Sequence, residues 1–296
     1  MTIIGMRKVT YSISGILVGA SILALAVWGL KLGIDFTGGS LLEVEFAGAR
    51  PENSAISEQL NKADIESAVI QPTGESGAIL RFKDVNEETH QDILFALSKL
   101  GEVQEKRFDS IGPTIGKELR RNSLWAIALV LLMIVIYIAF VFRGVSRPLS
   151  SWKYGVVAII ALFHDIIIPT GLFAYLGYFH GVEVDTLFVT ALLTILGFSV
   201  HDTIVVFDRI RERLNSFQGK ESFESTVEWS IRSTMTRSIN TSLTVLLVML
   251  ALFFLGGVTT KFFSLAILVG VFFGVYSSIF IASALLVSWN KRLSTK

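Results

Sequence analysis

Two His-Asp pairs stand inside long apolar stretches of this chain, His164-Asp165 and His201-Asp202. A carboxylate at the middle of a bilayer costs at least roughly 2.5–3.5 kcal/mol on insertion scales, so such groups mark function by default. Burial disfavours the charged form of a carboxyl and a nearby cation restores it, which lets one neighbour load and release a proton. Arg237, in Thr236-Arg237-Ser238-Ile239-Asn240-Thr241, is the natural cation for Asp202 if its helix starts a turn or more before Thr241. The alternative is a permanent Asp202–Arg237 ion pair that locks two helices. Asp165 either joins the proton path or only bonds His164 or a hydroxyl such as Thr170. Two carboxyls sharing a proton also suit an aspartyl protease, but the G-x-G-D context of such enzymes is missing, and no enzyme activity is expected. The run Asp208-Arg209-Ile210-Arg211-Glu212-Arg213 reads as a solvated continuation of the helix that carries Asp202.

The elements that position these groups follow from composition. The chain has 296 residues, 52% of them hydrophobic and 17% charged, with a mean hydropathy of +0.61. Soluble domains carry roughly 25% charged residues, so this balance points to lipid. A net charge of +1 argues against a nucleic-acid partner. The absence of cysteine excludes a disulfide framework and thiolate chemistry, and four histidines leave little for a metal centre, so no metal or cofactor is expected. Apolar stretches at 12–30, 124–142, 155–178, 187–208, 241–257 and 262–289 approach the roughly 20 residues that a bilayer core requires. The fifth is short unless it begins before Thr241. The first is too long for the core of a signal peptide and reads as an uncleaved anchor.

Short loops set an expected orientation. Arg7 and Lys8, then Arg143, Arg147 and Lys153, then the basic residues from Arg209 to Arg237, then Lys291, Arg292 and Lys296 fall on one side, against Lys261 on the other. The positive-inside rule then places both termini in the cytoplasm and the 31–123 insert outside. That insert is acidic, with 11 Lys+Arg and 16 Asp+Glu. Leu42, Val44 and Phe46 alternate with Glu43 and Glu45 as in a half-buried strand. A helix with Ile56 and Leu60 follows, then strands at 67–71 and 78–83 separated by Pro72, Gly74 and Gly77. Asn86 is a plausible N-cap for a helix bearing Ile93, Leu94 and Leu97, and 102–108 is a last strand. The β-α-β-β-α-β order is ferredoxin-like.

The expected fold is therefore an α-helical polytopic membrane protein with six transmembrane helices. One outward-facing ferredoxin-like α+β domain lies between helices 1 and 2. The divisions fall at 1–30 (N-terminus and helix 1), 31–123 (outer domain), 124–290 (helices 2–6) and 291–296 (tail). Gly270 and Gly274 form a small-xxx-small pair for close helix approach. Gly38-Gly39 suits a turn with positive φ, and with Gly112-Pro113 makes the expected hinge between membrane and domain.

At these residues the sequence resembles the SecF members of the SecD/SecF protein-export family. The resemblance covers nearly the whole chain. Gly33-Ile34-Asp35-Phe36-Thr37-Gly38-Gly39-Ser40 is similar to the family's G-D-F-x-G-G-T/S signature, and Ile111-Gly112-Pro113-Thr114-Ile115-Gly116-Lys117-Glu118-Leu119 to its V-G-P-x-x-G-x-E-L segment. Phe163-His164-Asp165, the stretch from Leu196 to Glu212, Thr236 to Ser242 and Gly274 to Ala282 complete the set. The resemblance implies a homologous SecD partner, the two together being similar to half of a resistance-nodulation-division transporter. It implies use of the proton motive force to help draw preprotein from the SecYEG channel after SecA has pushed it, in the bacterial cytoplasmic membrane, with YajC as a further partner. It assigns the proton-carrying role to Asp202 and the accompanying cation to Arg237. His201 stands where the family usually has Asn, either as an added titratable group or as a neutral stand-in. Ala284 stands where proline often follows the serine, so a kink there is in question. The competing readings are a small-solute exporter and a passive scaffold.

Overall fold

The computed structural model describes residues 2–65, 68–143, 150–217 and 221–294. Ser67, Arg147, Lys220 and Lys296 lie outside the described residues. The elements run in the order α1 (Arg7–Trp28), α2 (Ile34–Thr37), β1 (Gly39–Phe46), α3 (Asn53–Lys62), β2 (Val69–Thr73), β3 (Gly77–Phe82), α4 (Glu87–Ser98), β4 (Val103–Ile111), α5 (Pro113–Val141), α6 (Ser151–His180), α7 (Thr186–Phe217), α8 (Phe223–Leu255), α9 (Val258–Ser277), a π-helical segment (Ser278–Ala282) and α10 (Ser283–Ser294). Among the described residues, six helical spans are long and apolar enough to cross a membrane, the last running through the π segment from Thr260 to Lys291. The chain divides into two compact units, one of Leu32–Leu124 and one of the residues on either side.

The smaller unit is a four-stranded antiparallel sheet in the order β2-β3-β1-β4, with α3 and α4 against it. Alternation along β1 buries Leu42, Val44 and Phe46 with Ile56 and Leu60 of α3, Leu80 of β3, and Ile93 and Leu97 of α4. Asn86 caps α4 by accepting from the Thr89 N–H at 3.0 Å. The strand expected at 67–71 is found at Val69–Thr73, so Pro72 lies within a strand rather than between two. Proline lacks a ladder donor, and β2 tolerates it because it is an edge strand. β1 and β4 pair from Gly39↔Ile111 to Phe46↔Val103, with a register shift between Glu43 and Val44.

Gly38 and Gly39 take φ of 75° and 131°. A Cβ on Gly38 would lie 2.8 Å from the Pro113 Cα, and one on Gly116 would lie 2.8 Å from the Gly38 backbone nitrogen. The turn that enters β1 and the turn that leaves β4 thus touch backbone to backbone, an approach that only glycine permits.

In the larger unit α6 packs on α1 and α9, and α7 on α8 and α9. Gly171 of α6 admits Ser21 of α1, where a Cβ would lie 2.4 Å from the Ser21 side chain. Gly270 of α9 admits Ile195 of α7 in the same way. Aromatic side chains gather at both ends of this unit, as at membrane–water interfaces. Trp28 meets Tyr175, Tyr178 and Phe179 at 5.3–5.9 Å, and Trp152 meets Trp289 at 5.2 Å. The fifth span is 33 residues long because α8 starts at Phe223, far ahead of Thr241.

Candidate functional site

Asp165 is thirteen residues from Trp152 and thirteen from Tyr178 along α6, or about 20 Å from each at 1.5 Å per residue. That is the middle of the span. Its carboxyl is 0% exposed and both oxygens are occupied. Oδ1 meets His164 Nδ1 at 2.8 Å, while Oδ2 accepts from Ser199 of α7 at 2.5 Å and Ser277 of α9 at 2.7 Å. Thr170, the hydroxyl suggested for this carboxyl, instead donates to the Ile166 carbonyl at 2.6 Å. Pro169 stands four residues after Asp165 inside α6 and has no N–H to give to the Asp165 carbonyl. The last span packs close beside these bonds at Gly274, where an added Cβ would still make ordinary van der Waals contact, 3.4 Å from Ser199 Cβ and 3.8 Å from Asp165 Oδ2.

His164 carries the network on to α1. Its Nε2 meets Ser14 Oγ at 3.1 Å, Ser14 donates to the Tyr276 hydroxyl at 3.3 Å, and Tyr276 donates to the Thr10 carbonyl at 3.1 Å. Tyr276 also stacks on the imidazole, ring centres 5.9 Å apart. One turn further along α7, the Thr203 and Ser278 hydroxyls meet at 2.9 Å, at the start of the π segment. π segments replace the i→i−4 pattern locally and recur at functional sites. Here one interrupts the helix where the absent proline left a kink in question, and Ser283 donates to the Ser278 carbonyl across it at 2.9 Å.

Asp202 lies three residues beyond Ser199, about 4.5 Å along the helix. It is buried, 6% exposed, and its hydrogen-bond partner is Ser242 of α8 at 3.5 Å. The buried Ser238 hydroxyl, one turn before Ser242, is a second hydroxyl near this carboxyl, outside strict hydrogen-bond geometry among the described residues. Arg237 does not complete this site. Ser242 is the α8 residue level with Asp202, so Arg237 sits five residues away and on an exposed face. No ion pair among the described residues includes it. His201 is likewise exposed although adjacent in sequence to Asp202, because successive helical residues point about 100° apart. Sequence reasoning brought His164, Asp165 and Asp202 together but missed Ser14, Ser199, Ser277 and Tyr276. Ser199, Tyr276 and Ser277 lie inside the stretches that carry the family resemblance, which gave them no individual role, while Ser14 lies outside them.

Six apolar helices among the described residues, two of them carrying buried ionisable side chains, with a ferredoxin-like unit between the first two in sequence, define a multi-pass membrane protein. Residues 91–292 match the family model for the protein export membrane protein SecD/SecF, C-terminal, and residues 24–49 match that for the SecD/SecF GG motif. The chain belongs to the SecD/SecF family of protein-export membrane proteins. It is 44% identical to the protein translocase subunit SecF of Thermobaculum terrenum over 98% of this chain and 94% of the relative. With that of Anaerolinea thermophila it shares 41% over 98% and 94%. The crystal structure of SecDF, a translocon-associated membrane protein from Thermus thermophilus, superposes with a TM-score of 0.85 at 32% identity, covering 98% of this chain and 39% of that one. The chain therefore spans about two fifths of that SecDF chain. A super-membrane-facing form of SecDF superposes with a TM-score of 0.71. These SecF relatives are protein translocase subunits.

Proposed function

We propose that this chain pairs with a SecD-type partner in the bacterial cytoplasmic membrane and couples inward proton flow to the forward movement of exported polypeptide. SecYEG supplies the channel, SecA the initial push, and YajC is an accessory. Both termini face the cytoplasm and the 31–123 domain works on the outer face. The observation that carries this reading is Asp202: a carboxyl buried in a membrane-spanning helix, with the Ser242 hydroxyl at 3.5 Å and, among the described residues, no ion pair. A group so weakly tied can change between charged and neutral forms as a cation approaches and leaves.

Arg237 is the cation in this reading, and its exposure supports a cycle rather than a lock, since a permanent ion pair would keep it buried on Asp202. Arg237, Asn240, Thr241 and Thr244 lie exposed on one stretch of α8, where polar groups at membrane depth favour a protein neighbour over lipid. The protease reading finds no support: Asp165 bonds His164, Ser199 and Ser277, and no hydrogen bond joins it to Asp202.

The test is export into vesicles with an imposed proton gradient. Asp202→Asn should abolish the gradient-dependent part of export while assembly with the partner survives. Full gradient-driven export by that variant would refute the coupling.

A further inference from the structure

The hydrogen bonds around His164 have only one consistent set of directions. The Thr10 carbonyl can only accept, so the Tyr276 hydroxyl spends its one proton there. Ser14 must then donate to Tyr276, at 3.3 Å. Ser14 in turn has no proton left for the imidazole, so His164 Nε2 must carry one and donate to Ser14, at 3.1 Å. The 2.8 Å contact between His164 Nδ1 and Asp165 Oδ1 needs a proton as well, on either atom. Asp165 Oδ2 accepts from Ser199 and from Ser277, whose hydroxyl also lies 3.1 Å from the Gly274 carbonyl.

We propose that His164 and Asp165 form a second proton-binding site, separate from Asp202, whose occupancy is read by the Ser14–Tyr276 hydrogen bond between α1 and α9. With one proton in the Nδ1–Oδ1 contact and another on Nε2, the pair has no net charge, either as imidazolium with carboxylate or as imidazole with carboxylic acid. When the pair gives up a proton its charge becomes −1. The remaining one sits on Nδ1 and faces the carboxylate, leaving Nε2 bare. Ser14 then turns its hydroxyl proton from Tyr276 to Nε2. Tyr276 keeps its bond to Thr10, so the Ser14–Tyr276 bond is the one that is lost.

The groups facing the pair are Ser14 from α1, Ser199 from α7, and Tyr276 and Ser277 from α9. Phe273 meets the imidazole edge at 6.0 Å. Besides Tyr276, an ionisable neighbour is Asp202, three residues beyond Ser199 on α7. Among the described residues, no Lys or Arg shares this network. The site stands on its own geometry and not on the Asp202 cycle.

The experiment is an NMR titration of the full chain, labelled with 15N-histidine, in lipid bilayers without a gradient. His164→Gln identifies the His164 signals among the four histidines. The expected result is a protonated Nε2 at neutral pH that becomes bare in one step as pH rises. Tyr276→Phe removes a single hydroxyl and frees Ser14 for Nε2, so it should move that step to lower pH. The expected change is about three- to tenfold in proton affinity, the worth of one hydrogen bond. Asp202→Asn should leave the step present. A bare Nε2 at neutral pH, a step indifferent to Tyr276→Phe, or a step that vanishes in Asp202→Asn would each overturn the proposal. Export can still fail in Asp202→Asn in any of these cases, so the two readings stand or fall separately.

Discussion

His201 and Asp202 are neighbours in sequence and opposites in environment, one exposed and one buried. His201 is exposed and, among the described residues, makes no hydrogen bond to the carboxyl. His201→Asn should therefore keep gradient-driven export within about twofold, a difference of roughly 0.4 kcal/mol; a loss as deep as that of Asp202→Asn would show that His201 shares the proton path. Gly270 is sensitive for a different reason. An added Cβ would lie 2.2 Å from Ile195 Cδ1, so Gly270→Ala should destabilise the bundle by about 1–3 kcal/mol, as overpacking does. Ile195→Ala in the same chain should restore part of that loss, measured by thermal unfolding in detergent. The apolar stretches and the two aspartates were readable in the sequence because lipid imposes a composition. Ser14, Ser199 and Ser277 were not, because a serine in an apolar span looks the same whether it bonds its own helix or a carboxyl across the bundle. The outward turn of Arg237 was hidden for the same reason, as helix phase against neighbours is a tertiary property.

At the scale of elements, the β-α-β-β-α-β order was legible from alternation and caps, while Pro72 concealed the end of β2 because edge position is not written in the strand itself. The paired turns at Gly38 and Pro113 make a further test. Gly38→Ala meets both a φ of 75° and backbone 2.8 Å away, so it should cost at least about 1 kcal/mol in the sheet. Gly48→Ala, with nothing within 4 Å, should be close to neutral. The same sheet carries a pH dependence. Lys106, bonded to Glu45 at 2.7 Å, and Ser76 at 3.2 Å hold the Glu45 carboxyl below its ordinary value of 4.5. A lowered carboxyl stabilises the fold above its unfolded value, and the contribution is lost as pH falls through the lowered one. Lys106→Ala should flatten that acid-side fall, followed by NMR of the β1 amides in the full chain. The Glu45 side chain is 45% exposed, so added salt should produce the same flattening in the unaltered protein.

For the whole molecule, the spans differ in how much of themselves they bury. In the most apolar windows of the third and sixth spans 56% of residues are buried, against 6% in the second and 11% in the fifth. The weakly buried helices have the most surface left for a SecD-type partner. The proposed orientation is open to direct test because the chain has no cysteine of its own. Glu75→Cys, in the exposed β2–β3 turn, should react with a membrane-impermeant maleimide from outside the cell, and Ser216→Cys only after permeabilisation. The reverse pattern would invert the topology.

The π segment at Ser278–Ala282 amounts to one residue spliced into an otherwise regular rod. Each residue turns a helix by about 100°, so this splice sets the rotational phase between the hydroxyl-bearing turn of Tyr276, Ser277 and Ser278 and the downstream turn of Leu286 and Val287, both buried in the core. The last span thus works like a keyed coupling, its two halves each indexed to a different set of neighbours. Removing one residue from the splice would leave the composition of the span almost unchanged and yet misalign a whole half, whereas an apolar exchange such as Ile279→Leu would keep the key in place.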